Sequence, residues 1–279
     1  MPGLHSISRK ASARQSHNAA SRRVEPPRQP RGAGAPAGTV AFHGGKGGVG
    51  TTFLAAESAA ALSAQGLRVA AVEAGLHRGG LHYRLDVPLT RETFTVADLL
   101  PVLDDLTDRA LDNALSECPC GARLLPAPNG VGKEPLMTGE RFGALAPALA
   151  ARFDHVIFDT PSSLDGAAIA SLAAADLVVL VVTPELACLG GARQALGALA
   201  ESGVGNRKPA LIVNRSLGDQ DAVTLSDIES FLELPVTIVL PEETARCRRV
   251  TDEGRFAFQE RSTLGQGIGV MVRRLFSCP

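Results

Sequence analysis

The chain of 279 residues contains no tryptophan, and aromatic residues make up only 4% of it. Hydrophobic residues still reach 45%, so a core has to be built from Ala, Leu, Val and Ile, and the length suits one α/β domain. No apolar run reaches the roughly 18 residues that a membrane-spanning helix needs, and no apolar segment follows the basic N-terminal residues as in a secretory signal. We therefore expect a cytoplasmic protein.

Cysteine is also scarce. The cysteines are odd in number and scattered through a long chain, which indicates reduced thiols rather than a disulfide framework. They are Cys118, Cys120, Cys188, Cys247 and Cys278. The Cys-Pro-Cys step at 118–120 would supply half of a metal site, but no second Cys or His pair at ligand spacing accompanies it. The sequence therefore predicts no metal–thiolate centre.

Charge is unevenly distributed. Residues 1–38 carry a net charge of +6, whereas the remainder carries −7. The first segment is rich in Ser, Arg, Pro, Gly and Ala and has no hydrophobic periodicity, so it cannot bury enough apolar surface to offset its ordering entropy. We predict a disordered basic tail over 1–38 and a folded domain over 39–279. The tail is either a solvated extension or a tether to nucleic acid, acidic lipid or an acidic partner.

From residue 39 the pattern alternates between strands and helices. Predicted strands cover 39–42, 67–72, 123–125, 155–158, 177–182, 210–213 and 236–240. Predicted helices cover 52–65, 138–151, 164–174, 185–201, 224–233, 242–250 and 264–276. Strands such as 177–182 are apolar throughout, which is typical of parallel strands covered on both faces. This alternation predicts a doubly wound, mostly parallel α/β sheet whose ligands lie beyond the carboxyl ends of the strands.

A glycine-rich loop follows the first predicted strand and precedes a helix, the context that a phosphate-binding P-loop requires. Gly45 and Gly50 hold its two glycine positions, and Thr52 holds the hydroxyl position that ligates Mg²⁺. Glycines allow backbone N–H groups to turn inward around phosphate oxygens, and the following helix directs its positive end at the same anion. The predicted binding loop comprises Gly45, Lys46, Gly47, Gly48, Val49, Gly50, Thr51 and Thr52.

The run from Lys46 to Thr52 resembles the deviant Walker A motif of the MinD/ParA/Mrp superfamily of P-loop NTPases. The resemblance implies that Lys46 reaches across a dimer to the partner's nucleotide, and that ATP and Mg²⁺ are the cofactors. Asp159, within the Phe-Asp-Thr-Pro step at 158–161, resembles the Walker B carboxylate that holds Mg²⁺ through water. Asn214 and Arg215 resemble the step whose Asn recognises adenine, and Pro241 falls where a later adenine-contacting loop lies.

Two departures from that superfamily concern hydrolysis. Thr51 replaces the lysine that would cap the β- and γ-phosphates, and its absence weakens nucleotide binding by about ten- to a hundredfold. After the second strand, Glu73 can replace the first Asp of the usual Asp-x-Asp, but Gly75 cannot replace the second. Losing a group that positions the attacking water costs about 10²–10⁴ in rate. Lys46, Glu73 and Asp159 are the candidate catalytic residues.

The threonine form of the loop is similar to the CpaE/TadZ branch, the localisation factors of Tad (Flp) pilus assembly. The stretches 121–128, 153–159, 176–193 and 232–236 also resemble that branch, although its frequent receiver-like domain has no counterpart in 1–38. The resemblance implies a factor that binds ATP with little or no hydrolysis and positions the pilus and secretion apparatus at a pole or at the inner membrane face. It also implies a homodimer through the nucleotide face, with no role for nucleic acid.

Two other functions stay open at this point. One is a cycling ParA/MinD-type ATPase, which the basic tail favours and which Thr51 and Gly75 oppose. The other is a nucleotide-free scaffold, which the retained Lys46, Thr52 and Asp159 oppose. The C-terminal stretch 268–276 is either a membrane-surface helix or the last core helix, and its short length and glycines favour the core.

Overall fold

The protein is described from a computed structural model, which covers residues 38–75, 79–90, 92–105, 107–128, 139–201 and 209–276. The predicted tail lies outside these residues except for Gly38. The boundary between tail and domain therefore stays a prediction.

A single eight-stranded sheet forms the centre of the described domain, with strand order β3-β4-β2-β5-β1-β6-β7-β8. The strands are β1 (Gly38–Gly44), β2 (Val69–Glu73), β3 (Ser116–Glu117), β4 (Arg123–Leu125), β5 (His155–Asp159), β6 (Leu177–Val182), β7 (Ala210–Ser216) and β8 (Val236–Pro241). All neighbouring strands pair in parallel except β3 and β4. The predicted mostly parallel sheet is confirmed.

Helices connect the strands. They are α1 (Thr51–Ala64), α2 (Leu81–Arg84), α3 (Val96–Leu99), α4 (Asp108–Ala114), α5 (Gly139–Ala150), α6 (Gly166–Ala174), α7 (Leu186–Glu201), α8 (Leu225–Leu232), α9 (Thr244–Asp252) and α10 (Thr263–Phe276). Short 3₁₀ turns lie at Leu100–Asp105, Gly218–Gln220 and Ala257–Gln259. No helix among these described residues is long and apolar enough to cross a membrane.

The core is divided into two apolar clusters. One includes Leu54 of α1 and Ile268 of α10, and the other includes Phe142 of α5 and Leu172 of α6. Central strands supply buried side chains to both clusters, because successive residues of a strand point to opposite faces. Burial on both faces explains why these strands are apolar throughout, and it gives the doubly wound arrangement that the sequence predicts.

The segment between β2 and β4 contains elements that the sequence pattern does not reveal. Helices α2 and α3 have four residues each, and β3 has two. Elements this short have no room for a 3.6-residue or two-residue repeat, so periodicity cannot identify them. β3 is also the one antiparallel strand of the described sheet, so the edge next to β4 ends in a small hairpin.

The C-terminal helix belongs to the core. α10 buries Leu264, Ile268, Met271 and Phe276, while Arg273 and Arg274 lie on its exposed side. Its apolar side is therefore covered by the rest of the domain and not presented to a membrane surface. The core-helix interpretation of this segment is confirmed.

The two edge strands differ in how they end the sheet. β3 is too short to present a long row of free backbone groups. β8 pairs with β7 through a register that shifts between Leu211 and Ile212 and again between Val213 and Ser216. The guanidinium of Arg274 donates from Nη1 to the carbonyl of Thr237 at 2.8 Å. Both edges are thus interrupted or covered.

Candidate functional site

The glycine-rich loop lies between β1 and α1, at the carboxyl end of the central strands. Its first residue is tied to the sheet, because the Gly45 N–H donates to the carbonyl of Val181 at 3.0 Å. A Cβ on Gly45 would lie 2.4 Å from the Cys188 carbonyl oxygen, so only glycine lets α7 pack this closely. The start of the loop is therefore fixed between β6 and α7.

The loop ends at the N-terminus of α1. Gly50 is the N-cap, with φ +100°, and supplies no capping side chain to the first turn. A Cβ there would lie 2.5 Å from Asn214 Nδ2, so the position requires glycine for its conformation and for its contact. The N–H groups at the start of a helix have no partner within the helix, and they attract anions. The geometry suits a phosphate.

Two candidate magnesium ligands meet at this helix N-terminus. Thr52 Oγ1 donates to Asp159 Oδ2 at 2.7 Å, although 107 residues separate them in sequence. Asp159 is only 8% exposed, and its Oδ1 is buried with no hydrogen-bond partner among the described residues. A buried oxygen without a donor is costly unless a cation or water satisfies it. Hydroxyl and carboxylate oxygens are the ligands that Mg²⁺ prefers, so these residues fit that ion.

Burial shifts the acidity of Asp159. Loss of solvent raises the pKa of its carboxyl from 3.8 to about 7, the nearby charge of Glu73 adds to the increase, and the hydrogen bond from Thr52 opposes it. A bound cation would restore the ionised form. Metal binding at this carboxylate would therefore be accompanied by loss of its proton.

Glu73 lies beside Asp159, since the two residues are partners in the register of β2 and β5. Its Oε1 accepts from the backbone N–H of His82 at 2.9 Å and from His82 Nδ1 at 3.0 Å, and its Oε2 accepts from the Ala127 N–H at 2.8 Å. The residue is 1% exposed. Both oxygens are thus occupied by protein donors. The catalytic role of Glu73 stays a prediction, and these contacts do not favour it.

Lys46 lies at the exposed side of the loop. Its ammonium donates to Glu185 Oε2, and Glu185 Oε1 in turn accepts from the Thr183 hydroxyl at 3.1 Å. The hydrogen bond from Lys46 lowers the pKa of Glu185. The two side chains are 37% and 54% exposed, so solvent weakens the pair. The ammonium is held at the surface by a contact that is cheap to break.

Thr51 points back toward the strand. The position of an ideal Cβ on Gly44 lies 2.6 Å from Thr51 Oγ1, so the hydroxyl packs close to the end of β1. A threonine side chain at this place is too short to follow a phosphate chain out of the loop. Lys46 is the single lysine of the loop 45–52, all of which the structure describes.

Asn214, Arg215 and Pro241 lie on the opposite side of the loop from Glu73. The Asn214 amide donates from Nδ2 to the Val49 carbonyl at 2.7 Å and so braces the loop directly. All three residues line a cleft of about 290 Å³ between the loop and α9. The cleft is lined by Gly50, Phe53, Asn214, Arg215, Pro241, Glu243, Thr244, Cys247, Arg248, Thr251, Asp252 and Leu264. The sequence-predicted base-side residues therefore share one cavity.

His43 belongs to β1, the strand that leads into the glycine-rich loop. His43 is buried, and burial lowers its pKa to about 4, so it is neutral at physiological pH. Its Nδ1 donates to the Thr160 hydroxyl at 2.9 Å, which in turn donates to the Phe42 carbonyl at 2.8 Å. His43 thus orders the segment after β5. His77 lies outside the described residues.

Sequence reasoning missed the partners of Glu73. His82 and Ala127 are far from any motif, and nothing in their residue types marks them as donors to one carboxylate. Gly79 packs against the same group, because a Cβ on it would lie 2.2 Å from Glu73 Oε2. Gly79, four residues after Gly75, is the one feature of the sequence that could have indicated a close packing contact at Glu73.

Comparison with known proteins agrees with this geometry. Residues 40–253 match the family model described as the CobQ/CobB/MinD/ParA nucleotide binding domain. The chain is 30% identical over 211 residues to a septum site-determining protein MinD from Synechocystis sp., covering 71% of this chain and 74% of that protein. It superposes on a ParA family ATPase from Chlorobium tepidum TLS with a TM-score of 0.75 and 25% identity, covering 85% and 98%. It superposes on MinD complexed with Mg-ADP from Pyrococcus horikoshii OT3 with a TM-score of 0.72 and 22% identity, covering 85% and 95%.

Proposed function

Because this chain belongs to the CobQ/CobB/MinD/ParA family of nucleotide-binding domains, we propose that it binds ATP with Mg²⁺, hydrolyses it slowly or not at all, and acts as a dimeric positioning protein. The observation that carries the proposal is the Thr52–Asp159 pair at the N-terminus of α1, with one carboxylate oxygen buried and unpartnered among the described residues. A protein that no longer bound a metal would gain by replacing that carboxylate with an apolar residue.

The chain's own groups divide the work of binding. The N–H groups of the loop and of the first turn of α1 would hold the phosphates, and Thr52 and Asp159 would hold Mg²⁺. Asn214 keeps the loop in shape through the Val49 carbonyl while it lines the cleft with Arg215 and Pro241. When bound, Mg²⁺ neutralises part of the phosphate charge. The superfamily resemblance implies ATP as the nucleotide. Its phosphates would lie at the loop on one side of Gly50, and its base would lie in the cleft on the other side.

Slow hydrolysis follows from what surrounds the phosphate end. The carboxylate of Glu73 is occupied by the donors of His82 and Ala127, and Gly75 has no side chain to orient water. His43 is neutral but buried and bonded to Thr160, so it is not available as a base. A missing water-positioning group costs about 10²–10⁴ in rate. ATP then acts mainly as a ligand that stabilises one assembly state.

The same site tests the proposal. Mg·ATP is titrated calorimetrically into the purified full chain, and phosphate release is followed on the same sample. Binding without turnover supports a nucleotide-held positioning protein. Binding with steady turnover supports instead a cycling ParA/MinD-type ATPase, the second candidate, and shows that another group replaces Gly75. If no nucleotide binds, the proposal is wrong and the nucleotide-free scaffold takes its place.

Dimerisation through the nucleotide face concerns Lys46. In the single chain its ammonium pairs with Glu185 at the surface, and the pair is exposed enough to open at small cost. We expect Lys46→Ala to reduce the dimer fraction in sedimentation with ATP and Mg²⁺ while leaving the unfolding temperature unchanged. Arg193→Ala, which removes a somewhat more exposed pair with Glu233, is the control. Equal dimer fractions for the two variants would contradict a cross-dimer role.

We propose that the apparatus which this protein positions is that of Tad (Flp) pilus assembly. The proposal is based on the threonine form of the loop and on the stretches similar to the CpaE/TadZ branch. A fluorescent fusion in a cell that carries the pilus genes separates the candidates. Polar foci together with loss of surface pili on gene deletion support this role, and a peripheral place at the inner membrane face is compatible with it. Displaced septa or loss of a replicon on deletion support the cycling ATPase.

A further inference from the structure

A pair of thiols occupies the tight turn between β3 and β4. The turn is closed by two backbone hydrogen bonds, from the Gly121 N–H to the Cys118 carbonyl at 2.9 Å and from the Cys118 N–H to the Ala122 carbonyl at 2.9 Å. Gly121 has φ +92°, which allows the chain to reverse there. Cys118 is buried, and Cys120 is partly exposed. One proline separates the two cysteines, so both thiols belong to this turn.

The surroundings make the two thiols unequal. The hydrogen bond from the Cys118 thiol lowers the pKa of Cys120 to about 7, with help from the backbone N–H groups of Ala122 and Cys120 and from the positive charge of Arg84. The same hydrogen bond, together with burial, raises the pKa of Cys118. Cys120 is therefore the more acidic of the two thiols, and Cys118 is the one that keeps its proton.

Arg84 supplies an unusual positive charge beside this turn. It is 6% exposed and pairs with the buried Glu57, and its guanidinium stacks over the Phe256 ring at 4.4 Å. Its Nε and Nη1 have no hydrogen-bond acceptor among the described residues. A guanidinium short of acceptors attracts a nearby anion strongly in a partly dry environment. Cys120 is the neighbouring group that can become that anion.

The other cysteines of the described residues are different. Burial raises the pKa of Cys188, and burial raises the pKa of Cys247 to about 11. Thiolates react whereas thiols do not, although a less acidic thiol forms a more nucleophilic thiolate. With both effects included, Cys120 should react about a hundredfold faster than Cys247 at pH 7.

We propose that the Cys118–Cys120 turn is a reversible oxidation site that takes a hydroperoxide as its oxidant. The Cys120 thiolate attacks the peroxide, an S–O bond forms, the O–O bond breaks, and the departing alkoxide or hydroxide takes a proton to give an alcohol or water. Cys118 then loses its proton, its sulfur attacks the Cys120 sulfur, and the S–O bond breaks with release of water. Two thiols and one hydroperoxide give one disulfide, one alcohol or water and one further water. An external dithiol reverses the change.

The test uses the full chain with Cys278→Ser, because Cys278 lies outside the described residues. The protein is treated at pH 7 with a small excess of hydrogen peroxide, alkylated, digested with trypsin and analysed by mass spectrometry. Cleavage after Arg109 and Arg123 releases residues 110–123, which contain Cys118 and Cys120 and no other cysteine. We expect this peptide to lose two hydrogen atoms, with Cys247 alkylated as in the untreated protein, and to regain them with dithiothreitol.

Two variants separate the roles. Cys118→Ser should stop the reaction at a Cys120 sulfenic acid, which dimedone captures, whereas Cys120→Ser should leave Cys118 reduced. If a variant fails to fold, the alkylation rate of Cys120 in the parent protein takes its place and should reach half of its maximum near pH 7. The proposal is wrong if Cys120 reacts no faster than Cys247, or if oxidation of the parent protein yields a sulfinic or mixed product without the internal disulfide.

Discussion

Glu73 and Asp159 are both acids at the carboxyl ends of neighbouring parallel strands, and the sheet register pairs them directly. Their environments are opposite. Three protein donors occupy the two oxygens of Glu73, whereas Asp159 has a single donor, Thr52, and one buried oxygen without any among the described residues. Two acids at equivalent positions thus differ: Glu73 fastens the fold, whereas Asp159 has an oxygen that no described residue satisfies.

The difference shows which half of the nucleotide face is intact. On the Asp159 side, the loop, the uncapped helix and the hydroxyl of Thr52 form the proposed phosphate and metal site. On the Glu73 side, the carboxylate accepts hydrogen bonds from His82 of α2 and from Ala127. Gly75, the next position where an acid could orient water, has no side chain. The proposed binding groups are in place, whereas neither Glu73 nor Gly75 offers a free carboxylate that could position water.

Glu73→Gln should have the largest effect. Its new amide nitrogen must face N–H donors at His82 or Ala127, so at least one buried hydrogen bond becomes a repulsion. We expect the free energy of unfolding to fall by about 3 kcal/mol in urea denaturation. Glu117→Gln, whose carboxylate pairs with Arg123 at the surface, is the control and should change stability by less than about 0.5 kcal/mol. Equal losses in the two variants would contradict the fastening role of Glu73.

Asp159→Asn should change binding without loss of stability. Removing a carboxylate that orients a bound metal typically lowers affinity by about 10- to 100-fold, so calorimetry should show nucleotide binding that no longer depends on Mg²⁺. Unfolding stability should hold or rise, because a buried and poorly paired carboxyl is removed. A variant that loses stability as Glu73→Gln does would mean that the two acids have the same role.

Thr51→Lys tests whether the glycine-rich loop binds the phosphates of ATP. A lysine there restores a charge over the β- and γ-phosphates, and a charge-assisted hydrogen bond corresponds to a gain of about tenfold or more in ATP affinity. Thr51→Met has similar length without the charge and serves as the control. If neither variant binds ATP more tightly in the titration, the loop is not shaped for a nucleotide triphosphate.

The pH dependence of magnesium binding gives the smallest effect. The pKa of Asp159 is raised to about 7, so between its usual 3.8 and 7 the folded protein holds a proton that the unfolded chain has released. Without metal, the free energy of unfolding therefore falls as pH rises through this window. Metal binds the ionised carboxylate, so its binding favours ionisation of Asp159. We expect Mg²⁺ affinity to increase about tenfold from pH 6 to pH 8, with proton release at pH 6 measured in buffers of different ionisation enthalpy. Glu73→Gln should shift this window to lower pH, provided that the variant folds.

Much of the fold could be predicted from the sequence, because β1, β2, β5, β6 and β7 are buried along almost their whole length, as in a doubly wound sheet. The structure extends β1 to Gly44 and β7 to Ser216 and starts α1 at Thr51, which are small changes. The region of α2 to β3 was not predicted. Its elements have two to seven residues and owe their conformation to contacts with Glu73, Glu57 and the α5 layer, which are distant in sequence or hidden from any repeat.

The candidate site divides in the same way. Gly45, Gly50, Thr52 and Asp159 could be identified because a motif fixes their spacing and a strand end fixes their location. The hydrogen bonds to Glu73 could not be predicted, because the donors belong to His82 and Ala127 and no sequence spacing connects these residues. Likewise, Asn214 was chosen for a base, and its contact with the Val49 carbonyl became visible only once β7 was set beside the loop.

The two ends of the sheet also restrict how copies of this chain can meet. Exposed strand edges are where proteins add strands to one another and begin to aggregate. Here one edge is a two-residue strand, and the other has shifted register and an arginine on one of its carbonyls. Such edges are poor templates for a strand from a neighbour, so growth of open-ended fibres is disfavoured. Self-association is left to faces that close on themselves, and a ligand can switch an association of that kind on and off.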